Sequence, residues 1–351
     1  MSLPRRSSRS RKRDPAWATL SDAELLALRF KDLKLSIAGT WLEQQLETLH
    51  EELESRALKV RAHAWLSTEW FSPHDTPGIA IPFYLAHARL MRLERKMVLE
   101  VEGGSERECM RILRHEAGHV MQRAFALHRR KRWRELFGSA ARPYPEYYRP
   151  NPTSRRYVQH LRRWYAQCHP DEDFAETFAV WLAPRSNWRK RYADWPALRK
   201  LEYIDELMGE LAGVKPPAKA RTQMEPLRTL DTTLEEHYRE KRERFAVDSP
   251  TVFDRDLLRI FSSDERHRNA PAAALVIRRH RSKIMRSVAR ITGEYPLALD
   301  AAIDDIIDRA RTLKLRAPGS EQRIRLELTA LLTTNTVTSL YSSGRRQTFA
   351  V

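Results

Sequence analysis

The sequence predicts an α+β fold: a small sheet, a long amphipathic helix, and a mainly helical C-terminal extension. Three observations carry this. The stretches "LKVRAHAWLS" (58–67) and "GIAIPFYLAHARL" (78–90) alternate apolar and polar residues or run apolar in short bursts, which is strand texture. "SERECMRILRHEAGHVMQRAF" opens with Ser105 and, three residues on, Glu108, a capping-box pattern that starts a helix. Beyond residue 222 the periodicity is helical throughout.

Taken in order, "SDAELLALRFKDLKLSI" reads as a helix with Ser21 as its N-cap, and "TWLEQQLETLHEELESRAL" as a second. Pro82 places the 78–90 strand at a sheet edge, since proline cannot donate to a ladder. "MVLEVEGG" (97–104) is a third candidate strand. The helix begun at Ser105 is expected to run from about Glu106 to about Arg130, burying Cys109, Ile112, Leu113, Ala117, Val120 and Ala124. "PYPEYYRPNP" is a loop. "SRRYVQHLRRWYAQ" is expected to be helical. "HPDEDFAETFAVWLAP" places Pro170 and acids in a first helical turn, where both are favoured, and Pro184 closes it. "AGVKPPAKARTQMEP" reads as a linker. "TLEEHYREKRERF", "AALVIRRHRSKIMRSVARI", "ALDAAIDDIIDRARTL" and "EQRIRLELTALLTTNTVTSLY" are four further helices. The expected division is a basic disordered tail at 1–14, a catalytic domain at 15–213 and a helical region at 222–351.

Composition bounds the function. The 351 residues are 42% hydrophobic and 31% charged, enough for a core with a polar surface. No run of 18 apolar residues is present, so no membrane-spanning helix is expected. The N-terminal basic run (Arg5, Arg6, Arg9, Arg11, Lys12, Arg13) is not followed by an apolar segment and does not read as a secretory signal. Two cysteines, Cys109 and Cys168, are too few for a disulfide framework. The expectation is a cytoplasmic protein with free thiols. The net charge of +17 speaks to partners rather than fold. Between Val120 and Tyr165 twelve Arg and Lys face two acids, a net of +10. This segment could steer acidic peptides or proteins toward a nearby site. With "IRRHRSKIMRSVAR" it also supports an alternative reading, a nucleic-acid-binding or other polyanion-binding protein with a structural or inert metal site. No zinc-finger, helix-turn-helix or RNA-binding signature accompanies it.

The chemistry lies in "RHEAGH". Residues i and i+4 stack on one helix face, so His115 and His119 can close on a single Zn²⁺. Glu116, displaced round the helix, suits a base that takes a proton from the water such a metal activates. A catalytic zinc usually has three protein ligands. A third histidine ten residues after His115 is absent, because position 125 is Phe. Glu172 and Glu176, again i and i+4, are the better candidates: one to bind metal, the other to hydrogen-bond a histidine ligand.

"RHEAGH" followed some fifty residues later by "HPDEDFAETFAVWL" resembles the gluzincin-type zinc metallopeptidases, and most closely a bacterial group of zinc-binding metallopeptidases. Anthrax lethal factor and the Mlc titration factor peptidases are similar at greater distance. The resemblance covers roughly residues 58–211. It implies a zincin-like catalytic domain, a small twisted sheet over the HExxH helix whose edge strand binds extended substrate. It also implies Zn²⁺ as cofactor and peptide hydrolysis as the activity. The first Glu of the E-x-x-x-E pair would be the third ligand, which maps onto Glu172, with Glu176 behind a histidine. The run Asp171-Glu172-Asp173 leaves Asp173 as a competitor. A tyrosine about two turns before the ligand Glu maps onto Tyr165, a catalytic residue that would help hold the oxyanion, with Tyr157 as its alternative.

Overall fold

The computed structural model describes residues 14–73, 76–145, 148, 150–151, 153–217, 221–245 and 254–342. The expected basic tail lies outside these residues except for Asp14. The chain is mostly helical with one two-stranded parallel sheet, an α+β arrangement. Helices α1 (Asp22–Leu26) and α2 (Trp41–Ser55) come first, then β1 (His63–Ser67) and β2 (Gly78–Pro82). Next are α3 (Ala88–Val98), α4 (Glu106–Ala124) and α5 (Lys131–Phe137). Helices α6 (Pro170–Leu182), α7 (Trp188–Arg191), α8 (Leu198–Leu211) and α9 (Leu234–Phe245) follow. The chain then forms α10 (Asp254–Ile260), α11 (Ala273–Thr292), α12 (Pro296–Thr312) and α13 (Glu321–Ser342). None of the described helices is long and apolar enough to cross a membrane.

β1 and β2 pair in parallel from His63↔Gly78 to Ser67↔Pro82. β2 is buried along its whole length, and Phe71 bridges its other side at Ala80. Pro82 is its last residue, where its missing N–H costs the ladder nothing. The expected third strand is not one. Met97 and Val98 finish α3, and Leu99 at φ 66° ends that helix in the left-handed region.

Two hydrophobic clusters organise the packing. The first runs from Trp17 to Tyr238 and is built on α2, the sheet, α3, α4, α6 and α8. Leu234 and Tyr238 join α9 to it. The second runs from Leu257 to Leu332 across α10–α13. Cys109 and Cys168 are free and buried, and burial pushes both thiols up to about 12.

Three expected helices differ from their sequence reading. The first, read over 21–37, is α-helical only at Asp22–Leu26, followed by a 3₁₀ turn at Phe30–Leu33 that ends on left-handed Lys34. Ser105 Oγ caps α4 by accepting the Glu108 N–H, but the helix stops at Ala124 rather than near Arg130, and Ala126 is left-handed. The segment 154–167, expected to be helical, is largely irregular, with a 3₁₀ stretch at Arg162–Gln167 that contains left-handed Arg163 and Trp164. Tertiary contacts overrule its propensity. The Leu161 N–H donates to Glu176 Oε2 at 2.8 Å, and the His160 ring bonds the Arg111 carbonyl at 2.9 Å.

α4 packs chiefly against α6, and their contact is unusually close. A Cβ on Gly118 would stand 2.7 Å from Ala175 Cα, a backbone atom that cannot rotate away. Gly118→Ala should therefore cost about 1–3 kcal/mol by overpacking. Gly209→Ala, with nothing within 4 Å of its Cβ, should be neutral or stabilise by about 0.5–1 kcal/mol. Urea denaturation of both variants checks this. Equal stability of the two would show that the helices are not held at backbone contact.

Candidate metal centre

Each acid of the Asp171-Glu172-Asp173 run faces a different neighbour, as steps of about 100° round a helix require. Asp171 turns to α4: Gln122 Nε2 donates to its Oδ1 at 2.7 Å and Arg123 to its Oδ2 at 2.8 Å. Asp173 turns to α8, where Lys200 Nζ lies 2.5 Å from Oδ2. Burial lifts the Asp173 carboxyl to about 7 despite that ammonium. Glu172 turns to the histidines. The helix is positioned by His169 at its N-cap, whose Nδ1 accepts the Asp171 N–H and whose Nε2 bonds the Arg142 carbonyl.

Three buried ligand atoms converge. His115 Nε2 lies 3.0 Å from Glu172 Oε2 and 3.2 Å from His119 Nε2, and His119 Nε2 lies 3.3 Å from Glu172 Oε2. Tetrahedral zinc with bonds of 2.0–2.1 Å holds neighbouring ligand atoms about 3.3–3.4 Å apart. The triangle of His115, His119 and Glu172 fits one face of that tetrahedron, and the set could hold a metal ion. Behind it, Glu176 Oε1 lies 3.0 Å from His115 Nδ1. A proton on Nδ1 leaves Nε2 as a lone pair aimed at the centre. Tyr144 donates its hydroxyl to Glu172 Oε1 at 2.8 Å, which leaves Oε2 to face the histidines.

The electrostatics call for positive charge at this point. Burial would depress the His115 imidazole, but the hydrogen bonds its ring donates to Glu172 and Glu176 outweigh it and raise the ring well above its ordinary value. Burial would raise Glu172, yet the charges and bonds of His119 and His115 hold it well below the usual carboxylate range. A carboxylate between two imidazoles is a site for a proton or a divalent cation.

Glu116 opens on the same cavity of about 370 Å³ as the three converging residues. Its Oε2 accepts from Ser72 Oγ at 2.8 Å. Tyr165 also lines this cavity, with its ring 5.7 Å from the His115 ring. Tyr157 does not. It lies beside Lys200 in a second cavity of about 390 Å³ with Asp173. Ser72 and Tyr144 escaped sequence reasoning because each sits in irregular chain, where no periodicity ties it to a helix partner.

The basic segment is largely ion-paired: Arg123, Arg162 and Arg163 line the cavity, and Arg130 and Arg132 lie outside it. Arg130 pairs with Glu210, Arg132 with Glu206, Arg162 with Glu100 and Arg163 with Glu294.

Two substitutions separate the acids. Glu176→Ala should lower zinc affinity about 10–100-fold by freeing the His115 ring. Asp173→Asn should keep zinc and instead lose about 3–5 kcal/mol of stability, because buried Lys200 loses its carboxylate and keeps only the Arg156 carbonyl. Competition against a zinc chelator, beside denaturation curves, measures both. Zinc loss on Asp173→Asn as large as on Glu172→Ala would move the third ligand by one residue.

Among known proteins, residues 78–190 match the model of the family described as "Putative zinc-binding metallo-peptidase". No curated protein and no solved structure matches the chain. The matched segment contains every atom of the convergent triangle. Over residues 78–190 this chain is similar to that zinc-binding metallopeptidase family.

Proposed function

We propose that this protein is a zinc-dependent peptidase whose metal is held by His115, His119 and Glu172, with Glu116 as general base. One observation carries the reading: three buried ligand atoms within 4.8 Å of one another line the same cavity as a fourth residue, Glu116, that is anchored separately. Zinc bound there supplies a Lewis acid for the scissile carbonyl and brings the pKa of a water molecule toward about 7.

The side chains do the rest. Glu116 takes the proton of the attacking water and later delivers it to the leaving amine. Ser72 holds one oxygen of that carboxylate, which orients the other toward the cavity. Glu176 keeps His115 in the tautomer that ligates. Tyr165 offers a phenol that stays protonated, because burial and then the Glu172 charge raise it well above its ordinary value. A neutral donor beside the reacting carbonyl steadies the developing oxyanion. The zincin-like reading of the fold rests on the order of elements, a small sheet before an HExxH helix that packs on β2. A reducing compartment such as the cytoplasm suits the two free buried thiols.

A preference for acidic peptides finds no support in the cleft, where carboxylates outnumber cations along the lining. For the nucleic-acid reading, the charge on α11 is divided: Arg278, Lys283, Arg286 and Arg290 are exposed, and two further arginines are paired, Arg279 with Glu321 and Arg281 with Asp300 and Asp304.

Purified protein should carry close to one zinc per chain, and His119→Ala should lose most of it. Glu116→Gln should keep zinc while peptide hydrolysis falls about 10²–10⁴-fold, the usual worth of general-base catalysis. Elemental analysis and a mixed peptide library read both quantities. A glutamine variant as active as wild type would remove the peptidase reading.

A further inference from the structure

The cavity that holds the metal ligands is also lined by carboxylates that take no part in the metal cluster. These are Glu69, Glu94, Glu100, Glu102 and Glu108. Arg162 answers two of them, 2.5 Å from Glu100 and 3.9 Å from Glu108. Lys241 answers two more, its Nζ 3.0 Å from Glu69 Oε1 and 3.2 Å from Glu94 Oε1. Glu69 and Glu94 thus share one ammonium.

Two features leave that wall short of a donor. Glu94 is only 2% exposed, and its Oε2 has no hydrogen-bond partner. Burial raises the Glu94 carboxyl, while the Lys241 charge and the neighbouring Tyr238 hydroxyl lower it. Glu102 is open to solvent, yet it makes no side-chain hydrogen bond or ion pair among the described residues. The fold already seats one alkylammonium here, Lys241, 5.7 Å over the Tyr84 ring.

We propose that this wall is a subsite for a cationic side chain, lysine or arginine, of a peptide bound across the metal centre. The incoming ammonium or guanidinium donates to Glu102, and the open oxygen of Glu94 adds to the field that holds it. The inference rests on the peptidase reading and narrows it to substrates with a basic residue near the scissile bond. It reverses the preference expected from the basic segment of the chain, because the side chains that line a cavity, and not the net charge of the protein, select what enters it.

Binding of uncleaved peptides tests this apart from hydrolysis. Alanine-based octapeptides carrying one lysine, walked through every position, are compared with the same set carrying norleucine. The zinc-loaded full chain bearing Glu116→Gln is titrated with each. A charge-assisted hydrogen bond predicts one register at which lysine binds about 10–100-fold tighter than norleucine. Adding Glu102→Gln should cut that ratio to about threefold or less with zinc content and melting temperature unchanged, since Glu102 holds no structural partner. Glu102→Lys should turn the preference toward glutamate at the same register. Equal binding of lysine and norleucine at every position, including no binding at all, would overturn the subsite, as would a lysine preference that survives Glu102→Gln. Loss of turnover in the wild type on every peptide would count against the peptidase reading, while the binding ratios would still decide the subsite.

Discussion

α4 and α6 cross at backbone contact at Gly118 and Ala175, where a single added methyl would sit 2.7 Å from a backbone carbon. The metal cluster depends on that distance. His115 and His119 stand three residues before and one residue after Gly118. Glu172 and Glu176 stand three before and one after Ala175. The two i, i+4 pairs therefore flank the contact with the same offsets, and each histidine has a carboxylate within reach. A carboxylate side chain is short. Helices at an ordinary spacing of 8–10 Å, set by larger side chains, would leave Glu172 unable to reach both imidazoles. The small residue belongs to the candidate metal site as much as the three converging side chains do.

Most of that site is legible in sequence because it is written in helical periodicity. Ligands at i and i+4, a cap before each helix and an apolar stripe are local patterns, and α4, α6 and the histidine and glutamate pairs follow from them. The ambiguity within Asp171-Glu172-Asp173 is different in kind. Three adjacent acids on a helix must diverge, but their directions are fixed only by what lies round the helix: Gln122 and Arg123 on one side, the histidines on another, Lys200 on a third. Sequence spacing alone does not locate Lys200.

The misread segments fail for a shared physical reason. Residues 97–104 and 154–167 have the composition of regular structure, yet their backbone groups are claimed by distant partners or ended by left-handed residues. Leu99 stops α3 before a strand can form. The Leu161 amide serves the Glu176 carboxylate, and the His160 ring serves the Arg111 carbonyl, so the chain around them is shaped by the metal site and not by its own propensity. Ser72 and Tyr144 were invisible on the same grounds. Each lies in irregular chain and acts on a residue at least 28 positions away.

The C-terminal helices enter the site through one arginine. Arg163 donates to the Gly293 carbonyl and to Glu294, both at 2.8 Å, and its guanidinium stacks 3.9 Å from the Tyr295 ring. Its own carbonyl accepts the Tyr148 hydroxyl. Arg163 and Trp164 are consecutive left-handed residues, at φ 61° and 54°, and such backbone costs of order 1–3 kcal/mol per residue. Conformations of that cost persist only where surrounding contacts over-determine them, and here the turn between α11 and α12 supplies those contacts. The next residue is Tyr165. The same turn lines the cavity with Gly293 and Tyr295, while α9 places Lys241 among the carboxylates of the opposite charge. The helices that follow the matched family segment thus build part of the cleft wall and hold in place the loop that carries its tyrosine.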